Sequence, residues 1–103
     1  MSRELINEIC SHLPGTERFD TDDPALERWG VAGRIFAVLD LIRATVTVEA
    51  VNSATARMLI ETGAAEPGYG SGADCIALPF DSAPDELARR IRQSYKAVVG
   101  QDA

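Results

Sequence analysis

Arg34-Ile35-Phe36-Ala37-Val38-Leu39 and, a short gap later, Ala44-Thr45-Val46-Thr47-Val48-Glu49 decide the fold class. The first stretch is a run of bulky side chains that suit a pleated, half-buried surface. The second alternates strictly, so Val46 and Val48 face one side while Thr45, Thr47 and Glu49 face the other. Upstream, Ala32-Gly33 marks a turn that pairs Leu26 to Val31 with Arg34 to Leu39 as a hairpin. Strand character begins near Arg18 and breaks at Asp22-Asp23-Pro24. The reading is an antiparallel meander with one solvated face.

Helical patterns flank it. From Ser2 to Leu13, Leu5, Ile6, Ile9 and Leu13 recur at three-to-four spacing, with Ser2 as the candidate cap and Pro14-Gly15 as the stop. Asn52 or Ser53 caps a middle helix running to Thr62, with Ala54, Met58 and Leu59 as its expected buried stripe and Gly63 closing it. The stretch Glu66 to Gly72 is too rich in glycine for regular structure, and Asp74 to Phe80 reads as a further strand. Ser82-Ala83-Pro84-Asp85 starts a last helix, whose core stripe Leu87, Ile91, Tyr95 and Val98 is separate from a basic stripe of Arg89, Arg92 and Lys96. The fold class is therefore α+β, a twisted antiparallel β-sheet packed against N-terminal, middle and C-terminal helices. At 103 residues the chain reads as a single domain over 1–103.

Composition narrows the function classes. A chain that is 46% hydrophobic and 25% charged is globular. Its net charge of −6 works against nucleic-acid binding unless one face is locally basic. Charge is polarised: Glu17, Asp20, Asp22, Asp23 and Glu27 lie early, whereas Arg89, Arg90, Arg92 and Lys96 lie late. The start of the chain has no apolar run of signal-peptide length, and no stretch is long enough to cross a bilayer, so a cytoplasmic protein with two reduced thiols is expected.

Each pattern that invites a chemical role fails on geometry. Cys10 and His12 are two apart on a helix and point about 200° from each other, so they form no nucleophile-base dyad. Asp20, Asp22 and Asp23 resemble a calcium loop, but Ala25 and Val31 stand where it needs glycine and a bidentate glutamate. Gly68, Gly70 and Gly72 follow a helix and lead into a strand, the reverse of a phosphate-binding loop, which leaves Tyr69 as a side chain that could stack on a partner. Trp29 reads as core or half-core. No catalytic centre, metal or cofactor is expected.

The helix ending in Leu13-Pro14-Gly15, the strand start Gly33-Arg34-Ile35-Phe36-Ala37 and the closing Ile91-Arg92-Gln93-Ser94-Tyr95-Lys96-Ala97-Val98-Val99 together resemble the MmcQ/YjbR family of small bacterial proteins. The resemblance runs from about Glu4 to Val99. It implies an α+β fold similar to CyaY-like and secretion-chaperone-like proteins, no enzymatic activity, and the DNA-binding role by which the family is commonly described. Arg34 matches a basic residue of the family's strand, and Ser94-Tyr95 match its closing motif. Val48-Glu49 stand where many members have a Leu-Lys pair, and Asp74-Cys75 where they carry a tryptophan; each change removes a contact that DNA could use.

Two readings follow. One is a non-enzymatic binding domain that contacts DNA weakly and non-specifically through Arg34, Arg89, Arg92 and Lys96. The other is a protein-interaction or small-ligand module whose partner meets the sheet face or the Tyr69 loop, with the acidic patch attracting a basic partner. Convergence of the four basic residues on one surface would favour the first.

Overall fold

A computed structural model describes residues 2–19, 21–50, 52–68 and 74–100. The elements run α1 (Ser2–His12), β1 (Thr16–Phe19), β2 (Leu26–Val31), β3 (Arg34–Asp40), β4 (Thr45–Glu49), α2 (Ser53–Glu61), β5 (Glu66–Pro67), β6 (Cys75–Pro79) and α3 (Pro84–Gly100). The strands form one antiparallel sheet in the order β1-β2-β3-β4-β6-β5. The α+β class and all three helices are as the sequence indicates. No helix among the described residues is long and apolar enough to cross a membrane.

Residue parity sets the core. Trp29, Ala37, Val48 and Ile76 stand opposite one another across β2, β3, β4 and β6, as do Glu27, Leu39, Val46 and Leu78. All eight are buried, and Leu87, Ile91 and Val98 of α3 join the apolar ones in the core. α3 lies against β3 and β4, and α1 packs beside it. Asn52 caps α2, its side-chain oxygen accepting from the Thr55 amide at 2.8 Å.

The β2–β3 hairpin turns on Ala32 and Gly33, both in the left-handed region at φ 54° and 79°. That is the backbone of a tight two-residue hairpin turn, which suits Asn-Gly better than Ala-Gly. Ala32→Asn is therefore expected to stabilise the protein by about 0.5–1 kcal/mol, read as a rise in melting temperature of about 2–6 °C. Just inside the hairpin, pairing shifts from Trp29 opposite Ala37 to Gly30 opposite Ile35, so Phe36 is a bulge. Gly30 is required there: a Cβ would stand 2.7 Å from the Arg34 carbonyl oxygen and 2.9 Å from the Phe19 ring.

Three expectations need correction. Thr45 and Thr47 are not on a wet face; both are buried, because the Glu66–Gly68 segment folds toward them and Gly68 sits directly against the Thr47 methyl. That segment is also not irregular throughout, since Glu66 and Pro67 pair with Ala77 and Ile76 and the Gly68 amide donates to the Cys75 carbonyl. In α2 the buried residues are Ala56 and Leu59, while Ala54 and Met58 face solvent; the helix touches the sheet along a narrower line than a full stripe.

Candidate binding surface

α3 carries the basic residues singled out from sequence. Arg89, Arg92 and Lys96 follow at i, i+3 and i+7, so they share one face of the helix. With Asp85, Ala88 and Gln93 they line a shallow depression of about 450 Å³. Arg89 is paired with Glu86 at 3.2 Å, and Glu86 also holds Arg90. Arg92 and Lys96 are exposed and make no ion pair among the described residues. Arg34 does not join them. It opens β3 in the hairpin, exposed but already engaged within the chain, and takes no part in the depression. Tyr69 lies outside the described residues.

Arg90, the fourth late cation, serves the fold. It is buried, its Nε donating to Glu86 at 2.9 Å and a terminal nitrogen to Gln93 at 3.2 Å.

Glu27, read from sequence as one of an acidic surface group, is instead 7% exposed and faces the core side of β2. Arg3 straddles its carboxylate, Nε meeting Oε1 at 3.1 Å and a second guanidinium nitrogen meeting Oε2. Arg18 donates to Oε2 at 2.9 Å and lies 5.8 Å from the centre of the Trp29 ring. Asn7 links the two halves: its amide nitrogen approaches Oε1 at 3.4 Å and its oxygen accepts from Trp29 Nε1 at 2.8 Å. The hydrogen bond from Arg3 above all, helped by Asn7 and Arg18 and opposed by burial, pulls the Glu27 carboxyl down to about 2. This cluster ties α1 to β1 and β2. It is an ionic clamp whose acceptors are all occupied, and it has no vacant position for a substrate.

The closing Ser94-Tyr95 pair is structural too. β3 and β4 stop pairing beyond Ala37 and Val48, next to the Phe36 bulge of the β2–β3 ladder. Ser94 Oγ bridges the gap, donating to the Phe36 carbonyl at 2.6 Å and accepting from the Glu49 amide at 2.9 Å. Tyr95 packs edge-on against Phe36 and donates its hydroxyl to the Pro14 carbonyl at 2.5 Å. The Leu-Pro-Gly stop and the Ser-Tyr motif are therefore joined in space.

Cys10 is fully buried and burial pushes its thiol up to about 12. His12 sits on the surface with Nδ1 2.7 Å from the Glu8 carbonyl oxygen. Cys75 is half-buried and engaged within the chain, beside an apolar cleft of about 170 Å³ that includes Ile35, Val38 and Ser94. Among the described residues no three His, Cys, Asp or Glu side chains gather as a metal site.

Sequence reasoning found the α3 face from helical periodicity but missed the structural roles of Glu27 and Ser94. Strand parity with Trp29 was the available signal for Glu27. Ser94 bonds to residues 58 and 45 positions away, for which local pattern holds no signal.

Comparison with known proteins matches this geometry to a family. The crystal structure of Deinococcus radiodurans protein DR2400, whose domain is described as DUF419, superposes with a TM-score of 0.82 over 95% of this chain and 78% of that one. At 16% identity it shares the fold. No curated protein matches the chain. The YjbR family model matches residues 11–97, a span that holds the Leu13-Pro14-Gly15 stop, the whole sheet and the Ser94-Tyr95 bridge, so the chain belongs to the YjbR family.

Proposed function

We propose that this protein is a non-enzymatic, cytoplasmic binding domain that uses the outer face of α3 to meet an anionic partner, and that its contact with duplex DNA is weak and non-specific. The observation that carries this is the alignment of Arg89, Arg92 and Lys96 on one exposed helix face, with Arg92 and Lys96 unpaired among the described residues. Three cations positioned for phosphates supply affinity without base readout, and they act against a net charge of −6.

The salt dependence is diagnostic. If only the α3 residues neutralise phosphates, log affinity falls against log salt with a slope of about −2.7, whereas participation of Arg34 would bring it to about −3.6. A mixed-sequence duplex titrated by fluorescence anisotropy across a salt series is expected to bind at low salt with the shallower slope, and Arg89, Arg92 and Lys96 changed together to alanine should abolish it. Tight, salt-tolerant binding that prefers one sequence would contradict the proposal, and so would no binding at low salt.

The second reading, a protein or small-ligand module, has an observation of its own. The cleft at the β3–β4 gap exposes apolar surface, including Ile35, on the sheet and away from the α3 cations.

A further inference from the structure

The basic face of α3 does not stand alone. Leu5, Ile9 and Leu13 are spaced i, i+4 and i+8, so they stack along one flank of α1 and the turn that ends it, while Ile6 and Cys10 on the neighbouring flank are fully buried. The three aliphatic residues are only half-buried. They floor a groove of about 370 Å³ whose other walls are Glu8, His12 and Arg92. Arg92 also lines the depression that holds Arg89 and Lys96. An apolar row and a basic row therefore meet at Arg92 and make one continuous surface. At 1.5 Å per residue the rows run about 12 Å and about 10 Å, about two helical turns each.

A phosphodiester backbone would use the basic row and leave the apolar row wet. A helix with one apolar stripe and one acidic flank uses both, because residues at i, i+4 and i+7 fill a groove of that length while carboxylates one flank over reach the cations. We infer that the α1–α3 surface docks an acidic amphipathic helix of a protein partner, its apolar side chains on Leu5, Ile9 and Leu13 and its carboxylates on Arg92, Arg89 and Lys96. Glu8 on the opposite wall fixes the orientation: it repels acid on the α1 side, so the partner's carboxylates must lie on the α3 side. The overall charge of −6 likewise disfavours a partner that is acidic all round. This inference rests on α3 being the binding face and names the class of partner that face takes.

The probe is a fluorescein-labelled synthetic helix of about five turns with leucines on one stripe and glutamates on one flank. Two controls replace its leucines by serine or its glutamates by lysine. The leucine-glutamate helix is expected to bind and both controls to fail. Arg92→Glu should weaken binding at least tenfold, while Arg57→Glu, an equal charge change on exposed α2, should leave it unchanged; circular dichroism checks that both variants stay folded. Amide shifts in labelled protein should cluster at Leu5, Ile9, Leu13 and Arg92.

Equal binding of the serine control would overturn the apolar half of the inference while leaving α3 as a purely electrostatic face. Duplex binding without helix binding would overturn the inference and keep the DNA contact. Binding of neither would remove both, and shifts confined to the sheet would place the partner elsewhere.

Discussion

Glu27→Ala is expected to cost the folded state about 2–4 kcal/mol at neutral pH, read from urea unfolding as a lower midpoint with little change in slope. The carboxylate is 7% exposed and holds Arg3, Arg18 and Asn7 at once, so its removal breaks the side-chain ties that Arg3 of α1 and Arg18 of β1 make to β2. The loss stays below that of a fully enclosed ion pair, because the side chains of Arg3 and Arg18 are 52% and 53% exposed and can turn to water when their partner is gone. Asn7 still accepts from Trp29, so the indole is not orphaned.

The same group gives the fold a pH signature. The carboxyl titrates near its ordinary 4.5 in the unfolded chain but at about 2 in the folded one. A depressed folded value means the unfolded state binds the proton more readily, so the stabilisation is complete above about pH 4.5. It then drains away as pH falls toward 2. Wild-type stability should therefore drop over that window more steeply than that of Glu27→Gln, which carries no charge there to lose. Parallel acid limbs in the two proteins would show that the clamp contributes no linkage.

How far the sequence could disclose this depends on the range of each interaction. The β2–β3 hairpin was legible because Ala32-Gly33 is a local signal, and α3 because its start, its core stripe and its charges all repeat within a few residues. The N-cap of α2 was legible for the same reason, yet the exposure of Met58 was not, since the width of a buried stripe depends on what the helix meets. Thr45 and Thr47 alternate with valines as solvent-facing residues do, and it takes the return of the chain at Glu66–Gly68, with Gly68 against the Thr47 methyl, to cover that face.

Glu27 shows a different failure. Composition grouped it with nearby acids, whereas strand parity places it beside Trp29 on the core side. A charged residue in phase with the core should have prompted a search for cations, and Arg18, directly opposite Trp29 in the ladder, was one within reach.

The basic face was found as a set of residues on one helix, which periodicity can do. That Arg92 belongs equally to the groove with α1 needed the packing of two helices separated by the entire sheet in sequence. Arg34 was included from the resemblance, and hairpin geometry sets it apart from the other three.

Ser94→Ala is expected to cost about 2–3 kcal/mol, far more than a hydroxyl deletion on a helix surface. The hydroxyl is fully buried and acts both ways, giving its proton to the Phe36 carbonyl and receiving that of the Glu49 amide. Those backbone groups lie just beyond the last β3–β4 pair, Ala37 with Val48, so the side chain of α3 stands in for a further link between the strands. Alanine leaves one buried acceptor and one buried donor unsatisfied, and the nearby cleft, which Ser94 itself lines, offers water a route that limits the penalty. Tyr95→Phe is the contrast: its bond to the Pro14 carbonyl is exposed, water can replace it, and the loss should be no more than about 1 kcal/mol. Hydrogen exchange separates a local from a global effect. In Ser94→Ala the Glu49 amide should lose protection beyond what the fall in global stability accounts for, while the Val46 and Val48 amides on the same strand fall only with the global value. If Glu49 exchanges in step with them, the bridge is not what closes the gap, and the side chain contributes through packing alone.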